Sequence, residues 1–294
     1  MESILDAGVN TIIWFQKFSP SLDVPFRILT FMGDEIFFLI FFPLIYWCLD
    51  RRLGIKLMIL FFLSTYLNAI SKIVADQPRP FEYDPRVKQL VGAEGGGLPS
   101  NHTQSAVIIW GCLASEFRKK WLWGFAILLM ILIPLSRVYL GVHFPSDILG
   151  GYILGGLLLI VYLWLAPRIE QTIVKMHIVW QLIVIIILST ILMLAYPGYD
   201  RVCNTVVGTL TGLCFGSVLE RHCLGFKADG IWWKRILRYL SGMLILFGLW
   251  IGLKKLLSGF DPEGVFRFIR YGFMGLWVGF GAPWMFTKLK LTEI

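Results

Sequence analysis

Charge is scarce in this chain. Only 16% of its 294 residues are Asp, Glu, Lys or Arg and 57% are hydrophobic, whereas soluble proteins average about 25% charged residues. With a mean hydropathy of +0.71, an ordinary soluble domain is excluded. Cysteine is too sparse to build a frame: the five at 48, 112, 203, 214 and 223 are odd in number and form no CxxC pair. They read as apolar packing residues, not as disulfides or metal ligands. Strict alternation of apolar and polar residues is missing too. Runs such as Ile178–Ala195 continue unbroken, unlike the short alternating segments of a β-barrel. The start of the chain carries Glu2 and Asp6 rather than basic residues, so it does not read as a secretory signal. Residues 4–18, with Trp14, Phe15 and Phe18, read instead as an interfacial amphipathic helix.

What the chain does have is long apolar runs. Several approach or exceed the roughly 20 residues needed to cross about 30 Å of hydrocarbon. A spanning segment in lipid must satisfy its own backbone, so a helical bundle is expected. Spans are expected near 27–49, 54–73, 102–117, 121–139, 146–166, 177–196, 202–219, 236–256 and 265–287. The net charge of +8 does not point to nucleic acid, because the basic residues fall in short loops between spans, where topology uses them. The loops 50–56, 115–120, 167–176 and 220–235 and the C-terminal tail carry the larger share of Arg and Lys, which marks their side as cytoplasmic. The long loop 74–101 and the short loop 140–146 are then expected together on the opposite, non-cytoplasmic face. A loop as long as 74–101 in a compact bundle is often functional.

Three segments meet at that face: Lys72 to Pro80, Pro99 to His102, and Ser136 to Asp147. Lys72, Arg79 and Arg137 match the charge of a phosphate dianion, and a guanidinium fork binds phosphate oxygens two at a time. Ser100 is placed to cap a span, with Asn101 and His102 in its first turn. A helix N-terminus offers free N–H groups and the positive end of the dipole, an anion site. Pro145 suits the first turn of the next span, which leaves His143 just ahead of it and Asp147 within it. A carboxylate there can hold one imidazole nitrogen, free the other and stabilise the cation formed on attack. His143 is thus the expected nucleophile. His102 is the expected general acid, protonating the departing alkoxide and later deprotonating water.

On these residues the sequence resembles the type 2 phosphatidic acid phosphatase (PAP2) superfamily, whose signatures are Lys-x6-Arg-Pro, Pro-Ser-x-His and Ser-Arg-x5-His-x3-Asp. All three stand here in order and at full spacing. The resemblance implies an all-α, polytopic membrane bundle of about nine transmembrane helices with a six-helix catalytic core. It also implies metal-independent catalysis through a phosphohistidine, without a cofactor. Catalytic roles carry over to His143, His102 and Asp147, and phosphate-binding roles to Lys72, Arg79, Ser100 and Arg137, with Asn101 beside Ser100 expected to bind phosphate too. Asn101 stands where many members have Gly, a departure that bears on substrate shape. Flanking segments, among them Gly33 to Phe38, Tyr46 to Asp50, Tyr66-Leu-Asn and Arg270 to Gly275, resemble the sphingosine-1-phosphate phosphatase branch. Glucose-6-phosphatase is similar in its number of spans and in having its site on the non-cytoplasmic side.

Other polar residues read more plainly. Asp76, Glu82, Asp84 and Glu94 are expected to be solvated loop charges, and His177 and His222 to have no part in catalysis. Gly208, Gly212 and Gly216 form a stripe suited to close helix packing, and Asp200-Arg201 reads as a solvated pair. The expected organisation is a catalytic bundle over 1–200 and a three-helix extension over 201–294. The expected activity is hydrolysis of a membrane lipid phosphomonoester, with a sphingoid-base phosphate the leading substrate. Undecaprenyl diphosphate, phosphatidic acid and phosphatidylglycerophosphate remain open on the residues alone. A phosphotransferase using the same intermediate and a non-enzymatic lipid transporter are the rival classes. Beyond substrate and bilayer no partner is implied, and the oligomeric state is left open.

Overall fold

The computed structural model describes residues 2–198, 201–257 and 259–292, and these contain helices and no strand. In chain order the helices are α1 (Glu2–Gln16), α2 (Asp23–Phe31), α3 (Glu35–Cys48), α4 (Arg51–Ala75), α5 (Pro80–Tyr83), α6 (Asn101–Phe117), α7 (Lys120–Tyr139), α8 (Pro145–Lys175), α9 (Ile178–Ala195), α10 (Arg201–Cys223), α11 (Trp232–Leu257), α12 (Glu263–Leu276) and α13 (Ala282–Lys288). A π-helical turn, Trp277–Gly281, joins the last two.

Among the described residues six helices are long and apolar enough to cross a membrane: α4, α7, α8, α9, α10 and α11. A seventh crossing arises if α2 and α3, bent by 48° at their junction, form one broken span. The remaining two of the nine expected spans are helical but different in kind. Helix α6 has 17 residues, about 26 Å of rise at 1.5 Å per residue, and is buried along most of its length. Surrounded by protein, it can carry Thr103, Gln104 and Ser105 without exposing them to lipid. The other is divided by the π-helical turn. A further difference concerns 167–176, expected as a loop, because α8 continues through Pro167 to Lys175.

The helices form two compact units, residues 1–38 with 67–166 and residues 39–66 with 167–294. In the first unit, one face of α1 (Leu5, Val9, Ile12) packs against Val87, Val138, Phe144 and Ile148, while Trp14 stays exposed. Gln16 donates to the carbonyls of Lys88 and Tyr139. Helix α2 is tied to α7 by Tyr139 Oη donating to Asp23 at 2.6 Å. The turn after α7 depends on Gly141, whose φ is +76° and whose missing side chain admits the carbonyl of Lys88; a Cβ would be both strained and obstructed there. This turn delivers residues 142–144 to the start of α8.

In the second unit α10 packs on α12 through its glycines. A Cβ on Gly208 would lie 2.5 Å from the Phe268 carbonyl and one on Gly216 3.0 Å from Gly279, so the stripe works as a close-packing face. Buried charges are matched locally. Glu220 pairs with Arg51 and accepts from Phe226 N at 2.6 Å. Arg238, fully buried, donates to the carbonyls of Lys227, Ala228 and Asp229. His177 caps α9 and His222 meets Gln181. Among the described residues no cysteine is in a disulfide, and Cys48, Cys112 and Cys203 are buried. Arg201 lies 3.8 Å from Glu263, whereas Asp200, its expected partner, lies outside the described residues.

Candidate active site

The first unit gathers the three segments. Pro145 opens α8, so His143 lies in the preceding turn and Asp147 in the first turn of the helix. His143 Nδ1 is 3.1 Å from Asp147 Oδ2, and the carboxylate can only accept, which makes Nδ1 the protonated nitrogen. Asp147 is held in turn by Phe144 N on Oδ2 and by Gln77 Nε2 on Oδ1, at 2.9 and 2.7 Å. Its side chain is 0% exposed and that of His143 2%. The opposite ring nitrogen, Nε2, faces Arg79 Nη1 at 3.4 Å. That leaves its lone pair directed toward a fixed cation, where an anion would sit.

Arg79 is locked in place. Nε donates to Gly95 O, Nη2 to Glu94 O and Nη1 to Val142 O, at 2.8, 2.6 and 2.9 Å. Lys72, at the end of α4, donates to Gly96 O, so the glycine-rich loop supplies carbonyls to both cations. Arg137, in the last turn of α7, donates to Thr30 Oγ1 at 2.7 Å, and its buried Nε has no partner. None of these three cations forms an ion pair with a carboxylate among the described residues. Burial above all, then the positive charges of Arg137, Lys72, Arg79 and His102, hold the His143 imidazole well below the usual histidine range. The imidazole is thus neutral at neutral pH.

Ser100 caps α6: its Oγ accepts from Thr103 N at 3.4 Å. It is fully buried, and its own amide donates to Asp147 O at 3.0 Å. What remains for a ligand is the hydroxyl hydrogen and the amides of Asn101 and His102, which the helix itself leaves free. Asn101 Oδ1 is buried without a partner. His102 points its Nε2 at Asp34 Oδ1, 2.8 Å away. A cleft is lined by Asp76, Gln77, Pro78, Glu82, Gly95 and Gly96; its acidic lining does not suit phosphate.

Three residues reach the site without having been singled out from sequence. Gln77 lies inside the first motif, but amides there carry no distinctive signal. Thr30 and Asp34 come from the α2–α3 bend. Asp34 did have a signal: an acidic residue within an apolar run expected to cross the membrane is functional by default. Glu82, expected to be simply solvated, accepts from Arg79 N at 2.8 Å, and Glu94 contributes its carbonyl; Asp84 pairs with Arg86.

Residues 53–171 match the family described as the PAP2 superfamily, and residues 204–293 match one described as PAP2 superfamily phosphatase, transmembrane extension. The chain is 31% identical over 141 residues to sphingosine-1-phosphate phosphatase 2 of Mus musculus, covering 46% of this chain and 40% of that protein. It is 26% identical to sphingosine-1-phosphate phosphatase 1 of Rattus norvegicus over 90% of this chain and 71% of that one. Among solved structures, a PAP2-type phosphatidylglycerolphosphate phosphatase from Bacillus subtilis superposes with a TM-score of 0.50 at 23% identity, covering 57% of this chain and 89% of that one, which supports the fold. The chain belongs to the PAP2 superfamily of membrane phosphatases.

Proposed function

We propose that the protein hydrolyses a long-chain lipid phosphomonoester, a sphingoid-base 1-phosphate foremost, through a phosphohistidine on His143. The observation that carries this reading is the His143 ring held between Asp147 at Nδ1 and the Arg79 guanidinium at Nε2. A phosphoryl group set against Arg79, Arg137, Lys72 and the free amides at the start of α6 is attacked by Nε2. The P–N bond forms as the P–O bond to the lipid breaks, and His102 gives the alkoxide its proton. Asp147 stabilises the resulting imidazolium. Water then attacks phosphorus, His102 takes its proton, and His143 is released. Such transfer depends mostly on positioning and on stabilising charge at the equatorial oxygens, which suits a cradle whose cations have no carboxylate partners. The unpaired Asn101 Oδ1 is suited to a polar group near the ester.

The sphingoid assignment draws on the two sphingosine-1-phosphate phosphatases, one of them aligned over nine-tenths of this chain. Residues 1–200 are read as carrying the chemistry and 201–294 as an extension that supports it. The excess of Arg and Lys in the loops at the opposite ends of the spans supports a non-cytoplasmic site.

The test is phosphate release by purified protein from sphingoid-base 1-phosphate, phosphatidic acid, phosphatidylglycerophosphate and undecaprenyl diphosphate, beside His143→Ala and a labelled lipid acceptor. The highest kcat/KM is expected for the sphingoid phosphate. A preference for another lipid removes that substrate, label in the acceptor makes the protein a phosphotransferase, and full activity in His143→Ala removes the mechanism.

A further inference from the structure

The bend between α2 and α3 touches the site twice. Thr30, 3% exposed, accepts from Arg137, and Asp34, four residues on, meets His102 Nε2 at 2.8 Å. Between them Gly33 lies flat against the imidazole: a Cβ there would come within 2.7 Å of His102 Cδ2. Its φ is not positive, so close approach to the ring, and not backbone conformation, is what favours glycine. Three consecutive features of one short segment thus fix two groups that belong to α6 and α7.

We infer that Asp34 is a positioning residue for the reaction, orienting and charging His102 as Asp147 does for His143. The inference rests on the reading of His102 as the acid. A carboxylate only accepts, so Nε2 carries the hydrogen in that contact. This tautomer leaves Nδ1 as the nitrogen that moves a proton. As the P–O bond breaks and the P–N bond to His143 forms, Nδ1–H passes its proton to the alkoxide. Nε2–H stays with Asp34, and the imidazole left behind is neutral. In the second half Nδ1 takes a proton from the attacking water, and the carboxylate stabilises the imidazolium that results. The two histidines then form two Asp–His pairs of opposite duty. The pair with a buried carboxylate serves a nucleophile. The pair with a carboxylate 40% exposed serves an acid that must be reprotonated each turnover.

The discriminating measurement is the dependence on leaving group, which a purely structural role would not alter. A long-chain alkyl phosphate needs its alkoxide protonated; a nitrophenyl phosphate bearing the same chain does not. Asp34→Asn, which keeps the shape and removes the charge, is expected to lower kcat/KM, which reports only the steps through P–O cleavage, by about 10- to 100-fold on the alkyl substrate, part of the roughly 10²–10⁴ that general acid catalysis supplies. The loss of kcat/KM on the nitrophenyl substrate should stay below about threefold. Asp34→Ala should lose more and Asp34→Glu recover part. Because Asp34 is partly exposed, these variants should melt like the parent protein in detergent. His102→Ala should show the same substrate dependence more deeply. Equal losses on both substrates in Asp34→Asn, with His102→Ala still leaving-group dependent, overturn the role of Asp34 alone. No leaving-group dependence in His102→Ala overturns the acid assignment, and the role of Asp34 with it.

Discussion

Two buried arginines show how differently the two units use the same side chain. Arg238 in the second unit directs its guanidinium at three successive carbonyls, 227 to 229, and lies over the Phe226 ring at 5.6 Å. Arg137 in the first unit donates from one nitrogen only, to Thr30, among the described residues. One charge is satisfied by its own loop; the other stands in a cluster of like charges and needs an anion. A charge buried for stability is paired, because an unpaired one costs several kcal/mol. Arg137 is left incomplete until an anion arrives, whereas Arg79 in the same unit is held by three carbonyls and lacks only a carboxylate.

The strongest way to break this contrast is at the nucleophile. His143→Ala should lower kcat by about 10⁴-fold or more, and no acid-labile phosphoenzyme should be trapped by rapid quench with labelled substrate; a trapped phosphohistidine in that variant would refute the assignment. Next come the two arginines exchanged for methionine. Arg137→Met should lower kcat/KM by about 10²–10³-fold without lowering the melting temperature. Arg238→Met should leave kcat per folded molecule intact and cost about 3 kcal/mol in stability, since three carbonyls lose their donor. Reversed outcomes would mean that the units divide their labour otherwise.

Acidity gives a finer test. Because the folded protein depresses the His143 pKa, the neutral, nucleophilic ring persists as pH falls and is lost only well below 6.5. The acid limb of a kcat/KM profile should therefore lie clearly under pH 6.5, and a limb at or above that value contradicts the field described around the ring. The smallest effect belongs to the second unit. Gly212→Ala sets a methyl against the Gly272 backbone and should cost about 1–3 kcal/mol, read as a lower melting temperature with turnover of the folded fraction preserved.

The site was more legible in the sequence than the helix count. Phosphate chemistry restricts which residues can serve, so Lys72, Arg79, His102, Arg137, His143 and Asp147 announce themselves by type and spacing, and Pro145 and Ser100 mark their own helix starts. Thr30 reaches Arg137 by tertiary approach across the α2–α3 bend, for which no local pattern exists, and Asp34, though conspicuous as an acid in an apolar run, gave no sign that His102 is its partner. Hydropathy merged α2 and α3 into one run because the bend at Met32 to Asp34 interrupts the backbone without making the segment polar. It also treated α6 like a lipid-facing span, since apolarity alone does not distinguish a helix buried in protein from one bathed in lipid. The extent of α8 was missed for the opposite reason: Pro167 reads as a stop, yet the helix runs through it.

The restraint on Arg79 has a dynamic consequence. With donors fixed on the carbonyls of 94, 95 and 142, its head cannot swing after a departing anion or reorganise to greet an arriving one. On the proposed mechanism, the electric environment of a phosphohistidine at His143 would be in place before substrate binds and unchanged after the alcohol leaves, so attack by water would need no resetting of that arginine.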